Sequence, residues 1–142
     1  MKSSDLELIK VVPLKTFKIE CGNVMHALKA SEKEFNGFQE AYFSMIKKDK
    51  IKAWKKHLKM TMNLIVPIGS VMFVFYDEKG ENFKTIEIGE KNYSRITVPP
   101  KIWFGFIGKS NQDSLILNIS NIIHDEKEIE RKPIEFLKIE ED

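Results

Sequence analysis

Apolar residues in this chain recur at every second position in short runs, and that period is the strongest constraint on its fold. From Phe38 to Ile46, the residues Phe38, Glu40, Tyr42, Ser44 and Ile46 share one side, and Gln39, Ala41, Phe43 and Met45 share the other. Successive side chains of a strand point to opposite faces, so this spacing predicts a strand half-buried against a core. Similar runs predict strands at Leu6 to Val12, Thr16 to Glu20, Ile51 to Leu58, Met62 to Val66, Val71 to Tyr76, Thr85 to Ile88, Ser94 to Val98 and Leu115 to Ser120. Turn formers punctuate them: Asn36-Gly37, Ile68-Gly69-Ser70, Asp77-Glu78-Lys79-Gly80, Gly89-Glu90-Lys91-Asn92 and Lys109-Ser110-Asn111-Gln112-Asp113. Many short strands at this interval predict an all-β sandwich or barrel. No long amphipathic helix is evident. The acidic stretch from Asp125 to Glu130 predicts a turn or two of helix, stopped by Pro133.

With 142 residues, 42% of them hydrophobic and 11% aromatic, the chain fills one core, and a single domain over residues 1–142 is expected. Its 23 basic residues include only two arginines, Arg95 and Arg131, and the net charge is +2. Forked recognition of guanine and phosphate is arginine chemistry, so no nucleic-acid partner is expected. The near-neutral balance likewise gives no electrostatic reason to bind a membrane. The single cysteine, Cys21, cannot form an internal disulfide, which suits a reducing compartment. The charged start Met1-Lys2-Ser3-Ser4-Asp5-Leu6-Glu7 is unlike a signal peptide, and no apolar run approaches the ~18 residues of a membrane span. A cytoplasmic location is expected.

Three segments carry the candidate chemistry. In Ile51-Lys52-Ala53-Trp54-Lys55-Lys56-His57-Leu58-Lys59, a strand would point Lys55 and His57 to the same side. Two such neighbours in a dry cavity lower each other's pKa, which makes either a potential base near neutral pH. The same lysines also suit a solvated edge strand that deters aggregation. In Thr97-Val98-Pro99-Pro100-Lys101-Ile102-Trp103-Phe104-Gly105-Phe106, the double proline ends a strand, and Trp103 suits a ligand wall or a core plug. In Asn118 through Glu126, His124 stands beside Asp125 and Glu126, as a proton carrier or a surface residue. The histidines His26, His57 and His124 form no metal-ligand spacing, and no metal is expected. There is no phosphate-cradling glycine loop, and Gly108-Lys109-Ser110 lacks the second glycine of a nucleophile elbow. Cys21 reads as a buried structural thiol.

Taken in order, Trp54-Lys55-Lys56-His57, the run from Met60 to Gly69, Phe75-Tyr76-Asp77, Val98-Pro99-Pro100 through Phe106, and Leu117-Asn118 through His124-Asp125 resemble the dTDP-4-dehydrorhamnose 3,5-epimerase-like and sugar 3,4-ketoisomerase-like branch of the cupins. The resemblance covers about Cys21 to Phe136. It implies a cupin-type double-stranded β-helix (a jelly-roll barrel) with a short C-terminal helical turn or tail and a ligand cavity inside. It further implies a homodimer built by strand exchange or sheet packing, no cofactor, and proton abstraction next to a sugar ketone. The epimerases read Arg-Gly-Leu-His where this chain reads Lys52-Ala53-Trp54-Lys55, so their catalytic histidine falls on Lys55. The ketoisomerases' second histidine falls on His57. The histidine that commonly follows the double proline is Phe104 here, the diphosphate-gripping Asp-x-Arg-Gly is Asn23-Val24-Met25-His26, and no tyrosine follows Tyr93.

The resemblance thus implies an isomerase acting on a dTDP-4-keto-6-deoxyhexose in deoxysugar or surface polysaccharide biosynthesis. His57 is the expected base, Lys55 the enolate-stabilising cation or alternative base, and His124 the acid in place of the late tyrosine. Lys52, Asn63, Arg95, Trp103 and Arg131 are the expected substrate-binding residues: the two arginines and Lys52 for the diphosphate, Trp103 for stacking. The two replaced family histidines and the missing late tyrosine support an alternative, a non-catalytic cupin that binds a nucleotide sugar or a pathway partner.

Overall fold

The computed structural model describes residues 5–79 and 81–139. Met1 to Ser4 and Gly80, on which parts of the N-terminal and turn readings fall, lie outside the described residues. The strands are Lys10–Pro13 (β1), Thr16–Phe17 (β2), Val24–Met25 (β3), Glu40–Ile46 (β4), Ile51–His57 (β5), Met62–Ile68 (β6), Ser70–Asp77 (β7), Asn82–Gly89 (β8), Ser94–Val98 (β9), Trp103–Gly108 (β10), Ser114–Ser120 (β11) and Ile129–Arg131 (β12). They form two five-stranded antiparallel sheets, ordered β1-β9-β6-β11-β4 and β12-β5-β10-β7-β8, while β2 and β3 pair as a separate hairpin. The all-β jelly roll implied by the sequence is the observed architecture.

The main core lies between the sheets. Leu64, Val66, Ile96, Val98 and Ile116 of the first sheet pack with Val71, Phe73, Phe75, Ile88 and Phe104 of the second. A smaller core covers the outer face of the second sheet, where Trp54, Met72, Val74, Trp103 and Ile107 meet Ile139, with Phe136 and Leu137 packed beside them. This double cover explains the uninterrupted burial from Val71 to Phe75. Odd positions face the barrel and even ones the C-terminal tail, so both faces must be apolar.

Several expected elements shift. Leu6 to Val12 divides into a 3-10 turn over Asp5–Leu8 and strand β1, and Thr16 to Glu20 shortens to β2. The expected helix over Asp125 to Glu130 is one 3-10 turn, Glu126–Glu128, followed by β12 on the edge of β5, and Pro133 starts a second 3-10 turn at Ile134–Phe136. The proline-led segment at 99–106 contains β10, a central strand between β5 and β7. Gly105 suits its place there, since a Cβ would stand 2.5 Å from the Cβ of Ala53, at the register shift between the two strands. Cys21 is exposed rather than buried.

Outside the first sheet, the segment around 27–34 covers a polar layer. Arg95 is 0% exposed. Its Nη1 donates to the carbonyl of Ala27 at 2.7 Å, and its Nη2 donates to Glu32 at 2.7 Å and Glu34 at 3.2 Å. Thr97 Oγ1 donates to Asn63 Oδ1 at 2.6 Å, and Asn63 Nδ2 donates to the Glu34 carbonyl at 3.3 Å. A guanidinium so placed pins the covering segment to the sheet. Truncating one member of a buried ion pair typically costs about 3–5 kcal/mol. Because both glutamates keep partial access to water, Arg95→Met should cost about 3 kcal/mol, the lower end of that range. Urea denaturation checks this, and an unchanged midpoint would show that Arg95 does not hold the segment.

Candidate active site

A cavity of about 470 Å³ opens into the barrel between the two sheets. Its inner wall is apolar, made by Met62, Leu64, Phe73, Phe104, Phe106 and Ile116. Its polar groups come from Tyr42 and Ser44 on β4, Lys52 and Lys55 on β5, Asn118 on β11, and Arg131 and Lys132 at the start of the tail. The inward face of β4 is the polar one, with Glu40, Tyr42 and Ser44 half-buried, whereas Ala41, Phe43 and Met45 point outward and are exposed. The alternation in the sequence is therefore real, and the cavity inverts its usual sense.

Asn118 Nδ2 donates to the Tyr42 hydroxyl oxygen at 3.0 Å. An oxygen that accepts this bond keeps its own proton for a ligand. Asn118 is buried, and its Oδ1 has no partner among the described residues. An orphaned carbonyl on a cavity wall is costly unless a ligand or solvent donates to it.

Lys55 enters the cavity beside Phe104, its cross-strand partner on β10. Burial lowers its pKa, and the Arg131 charge lowers it further, against the opposing pull of Glu126 and Glu128. Two positions on, His57 is 3% exposed. Its ring stacks at 6.0 Å on Phe104, which lines the cavity. The imidazole thus abuts the wall rather than forming part of it.

His57 Nδ1 lies 2.5 Å from Glu128 Oε2, and the other carboxylate oxygen accepts from the amides of Lys59 and Met60, both at 3.0 Å. Burial opposes ionisation of Glu128, but His57 and the two amides outweigh it and hold its pKa below the ordinary range. A carboxylate with three donors stays ionised, so Nδ1 carries the imidazole proton and Nε2 presents a lone pair. Nε2 is buried and has no partner among the described residues. Burial lowers the His57 pKa, which prevails over the upward pull of Glu128. Such an imidazole is neutral and basic at physiological pH.

The expected site residues separate into two groups. Lys52, Lys55 and Arg131 line the cavity together, Lys52 and Arg131 with exposed side chains. Lys52 Nζ donates to the Met45 carbonyl at 2.8 Å, and Arg131 makes a forked pair with Glu126 at 2.5 and 3.1 Å. Arg95 and Asn63 are spent on the outer polar layer, so the expectation that they bind substrate is corrected. Trp103 is also corrected. It faces out of the barrel, packs at 5.4 Å against the tilted ring of Phe136, and its Nε1 donates to Glu78, an anchor for the tail. His124 is exposed, paired with Glu126 at 3.3 Å, and absent from the cavity wall. It does not stand in for the late tyrosine.

Tyr42, Asn118, Glu128 and Lys132 escaped sequence reasoning. The period of two had put Tyr42 on the face of Ser44, but nothing marked that face as inward. Glu128 lies 71 residues from its partner, beyond any local motif. Among the described residues, no three His, Cys, Asp or Glu side chains cluster as metal ligands. No described helix is long and apolar enough to cross a membrane.

These features define a jelly-roll barrel with a polar-mouthed internal cavity, and known proteins of that kind are its relatives. No protein-family model matches the chain. The crystal structure of a dTDP sugar isomerase from Desulfovibrio desulfuricans G20 superposes with a TM-score of 0.86 at 29% identity, covering 94% of this chain and 88% of that one. QdtA, a sugar 3,4-ketoisomerase from Thermoanaerobacterium thermosaccharolyticum solved with TDP, shares the fold at a TM-score of 0.74 and 18% identity, covering 87% of this chain and 88% of that one. The probable low-salt glycan biosynthesis epimerase Agl13 of Haloferax volcanii is 26% identical over 102 residues, 68% of this chain. The chain spans 65% of the length of that curated relative. The resemblance carried by the sequence motifs is therefore to the proteins that the structure also matches.

Both shifts of the His57–Glu128 pair have the same sign for stability. Each folded pKa lies below its ordinary value, so the stabilisation is complete above about pH 6.5 and is lost as acid protonates the pair. Nitrogen-15 NMR of the imidazole should show the proton on Nδ1 at pH 7 and a His57 midpoint below 6.5. Glu128→Gln should lower that midpoint further. A midpoint above 6.5, or a proton on Nε2, would contradict the assignment.

Proposed function

We propose that the protein is a sugar-nucleotide isomerase, an epimerase or ketoisomerase, that moves a proton at the carbon next to the ketone of a dTDP-4-keto-6-deoxyhexose. Its place would be in deoxysugar or surface polysaccharide biosynthesis. The observation that carries this reading is one cavity that joins an apolar wall and a desolvated lysine to cations at the mouth, with a buried carboxylate-backed imidazole directly behind Phe104. A carbon acid beside a carbonyl needs a base for its proton and donors for the enolate oxygen that forms. His57 Nε2, held in the basic tautomer by Glu128, is the base. Lys55 and the Tyr42 hydroxyl meet the ketone oxygen, and Tyr42, with its proton free, is the acid. Lys52 and Arg131, with Lys132 beside them, take the diphosphate, for which one or two well-placed cations suffice. The protein is soluble, cytoplasmic, formed of one domain, and works without cofactor, nucleic acid or membrane.

Incubation with dTDP-4-keto-6-deoxyglucose in heavy water tests this directly. Mass spectrometry should find deuterium at a carbon flanking the ketone. His57→Asn should slow that exchange by about 100-fold or more, the usual worth of a positioned base. Binding without exchange across several 4-keto sugars would instead favour a non-catalytic nucleotide-sugar binder. That second reading draws on one observation, that the His57 ring sits against the Phe104 side of the wall rather than on the cavity surface.

The chain also acts as a homodimer in this reading. Phe43 and Met45 on edge strand β4 are 65% and 55% exposed, and the β2–β3 hairpin exposes Phe17, Val24 and Met25. An apolar sheet face and an unsupported two-stranded hairpin both require cover, and a second copy provides it symmetrically. Sedimentation velocity should give a dimer, and Phe43→Glu combined with Met45→Glu should give a folded monomer. A wild-type monomer at micromolar concentration would contradict this.

A further inference from the structure

We propose that Lys55 reacts covalently with the ketone of the ligand, its Nζ forming an imine rather than standing beside the carbonyl as a charge. The inference rests on the keto-sugar reading of the cavity and deepens it. It begins from a difference among the cations around the cavity. Lys52 is bonded to the Met45 carbonyl, and Arg131 is forked onto Glu126. Lys132 lies 5.8 Å over Trp103 and 4.4 Å over Phe136, and Lys56, on the other face, bridges Glu78 and Glu130. Among these, the Lys55 side chain alone has no hydrogen bond, ion pair or aromatic-ring contact among the described residues.

The surroundings of Lys55 make its ammonium easier to deprotonate than an exposed one. Phe104 is its neighbour across the ladder, and Phe73, Phe106 and Leu64 form the wall beyond. Hydrocarbon solvates an ammonium poorly, and the nearby Arg131 and Lys52 charges add to that cost, which is why the Lys55 pKa falls. A lysine whose ammonium is poorly solvated and unpaired gives up its proton more readily than an exposed one. It is the kind of amine that adds to carbonyls, because the free base is the nucleophile.

The other groups at the cavity complete a balanced cycle. The Nζ electron pair forms a bond to the ketone carbon, and the carbonyl π pair moves to oxygen, which takes a proton from the Tyr42 hydroxyl or solvent. That hydroxyl takes a second proton, given up by Nζ, and leaves as water with the C–O electron pair while the remaining Nζ pair closes the C=N bond, giving a protonated imine. The pair of the adjacent C–H bond then flows toward the imine nitrogen as His57 Nε2 accepts the proton. Return of a proton to carbon restores the imine. Addition of one water regenerates the ketone and free Lys55, and the proton borrowed at the start returns to Tyr42 or solvent. One water leaves and one enters, and nothing is oxidised or reduced. The protonated imine acidifies the neighbouring C–H more than a hydrogen bond to the carbonyl does, since a full positive charge is conjugated to it.

Trapping decides the matter. The full chain is incubated near neutral pH with dTDP-4-keto-6-deoxyglucose and sodium cyanoborohydride, which reduces iminium ions in preference to ketones. The expected result is one adduct per chain, with the mass of the sugar nucleotide less one oxygen, on the proteolytic peptide that contains Lys55. Lys55→Arg and Lys55→Met should each reduce total adduct at least tenfold. Absence of an adduct at Lys55, or labelling spread over other lysines and equal in the variants, would overturn the inference. Deuterium exchange measured in parallel separates it from the reading beneath. Exchange without adduct removes the covalent step and keeps the isomerase; an adduct without exchange supports the imine and removes the isomerase; neither removes both. The wild-type peptide map holds even where a variant folds poorly.

Discussion

The hydrogen bond between His57 and Glu128 is the contact on which the rest of the site depends. It joins positions 71 residues apart, both side chains almost wholly buried. A charge taken out of water is tolerated only when its lone pairs are satisfied, and here the amides of Lys59 and Met60 complete the set. Because Glu128 is fixed, the chain that follows is delivered to the free edge of β5 as β12, with Arg131 paired across from Lys55. The same short segment brings Arg131 and Lys132 to the cavity mouth and leads the tail over Trp54 and Trp103, where Trp54 Nε1 donates to the Leu137 carbonyl at 3.0 Å. A buried imidazole with an unpartnered Nε2, a basic rim and an outer core thus follow from one carboxylate.

The second organising fact is the inverted sense of β4. Most half-buried strands turn their apolar side inward, whereas this one turns Tyr42 and Ser44 toward the barrel and leaves Phe43 and Met45 outside. Of the inward hydroxyls, that of Tyr42 accepts from Asn118. The outward aromatic and thioether side chains, Phe43 and Met45, stay exposed. The cavity and an exposed apolar patch are therefore two faces of one strand.

The strand pattern was legible in the sequence because alternation survives wherever one face is covered differently from the other, as in β4, β9 and β11. It failed at β10, where Pro99-Pro100 and two glycines suppress strand propensity although Gly105 is required by the close approach of Ala53. It was also silent on which face points inward, and a shift of one position moves every side chain across the sheet. That is why Arg95 and Trp103, chosen for their chemistry, lie outside the barrel, while Lys55, chosen for its spacing from His57, lies within the cavity. The partner of His57 was unreadable for another reason. Glu128 stands in an acidic run that looks solvated, and only the return of β12 onto β5 buries it.

A crystal structure of His57→Asn bound to dTDP-4-keto-6-deoxyglucose is the most direct test of the claim that the barrel cavity is the reaction site. The substitution removes the proposed base while keeping a side chain of similar polarity. The sugar ring is expected against Phe104 with its ketone within bonding reach of Lys55 and the Tyr42 hydroxyl, and the diphosphate between Lys52 and Arg131. A nucleotide sugar seated outside the barrel, or bound with its ketone turned away from Lys55 and Tyr42, would contradict it.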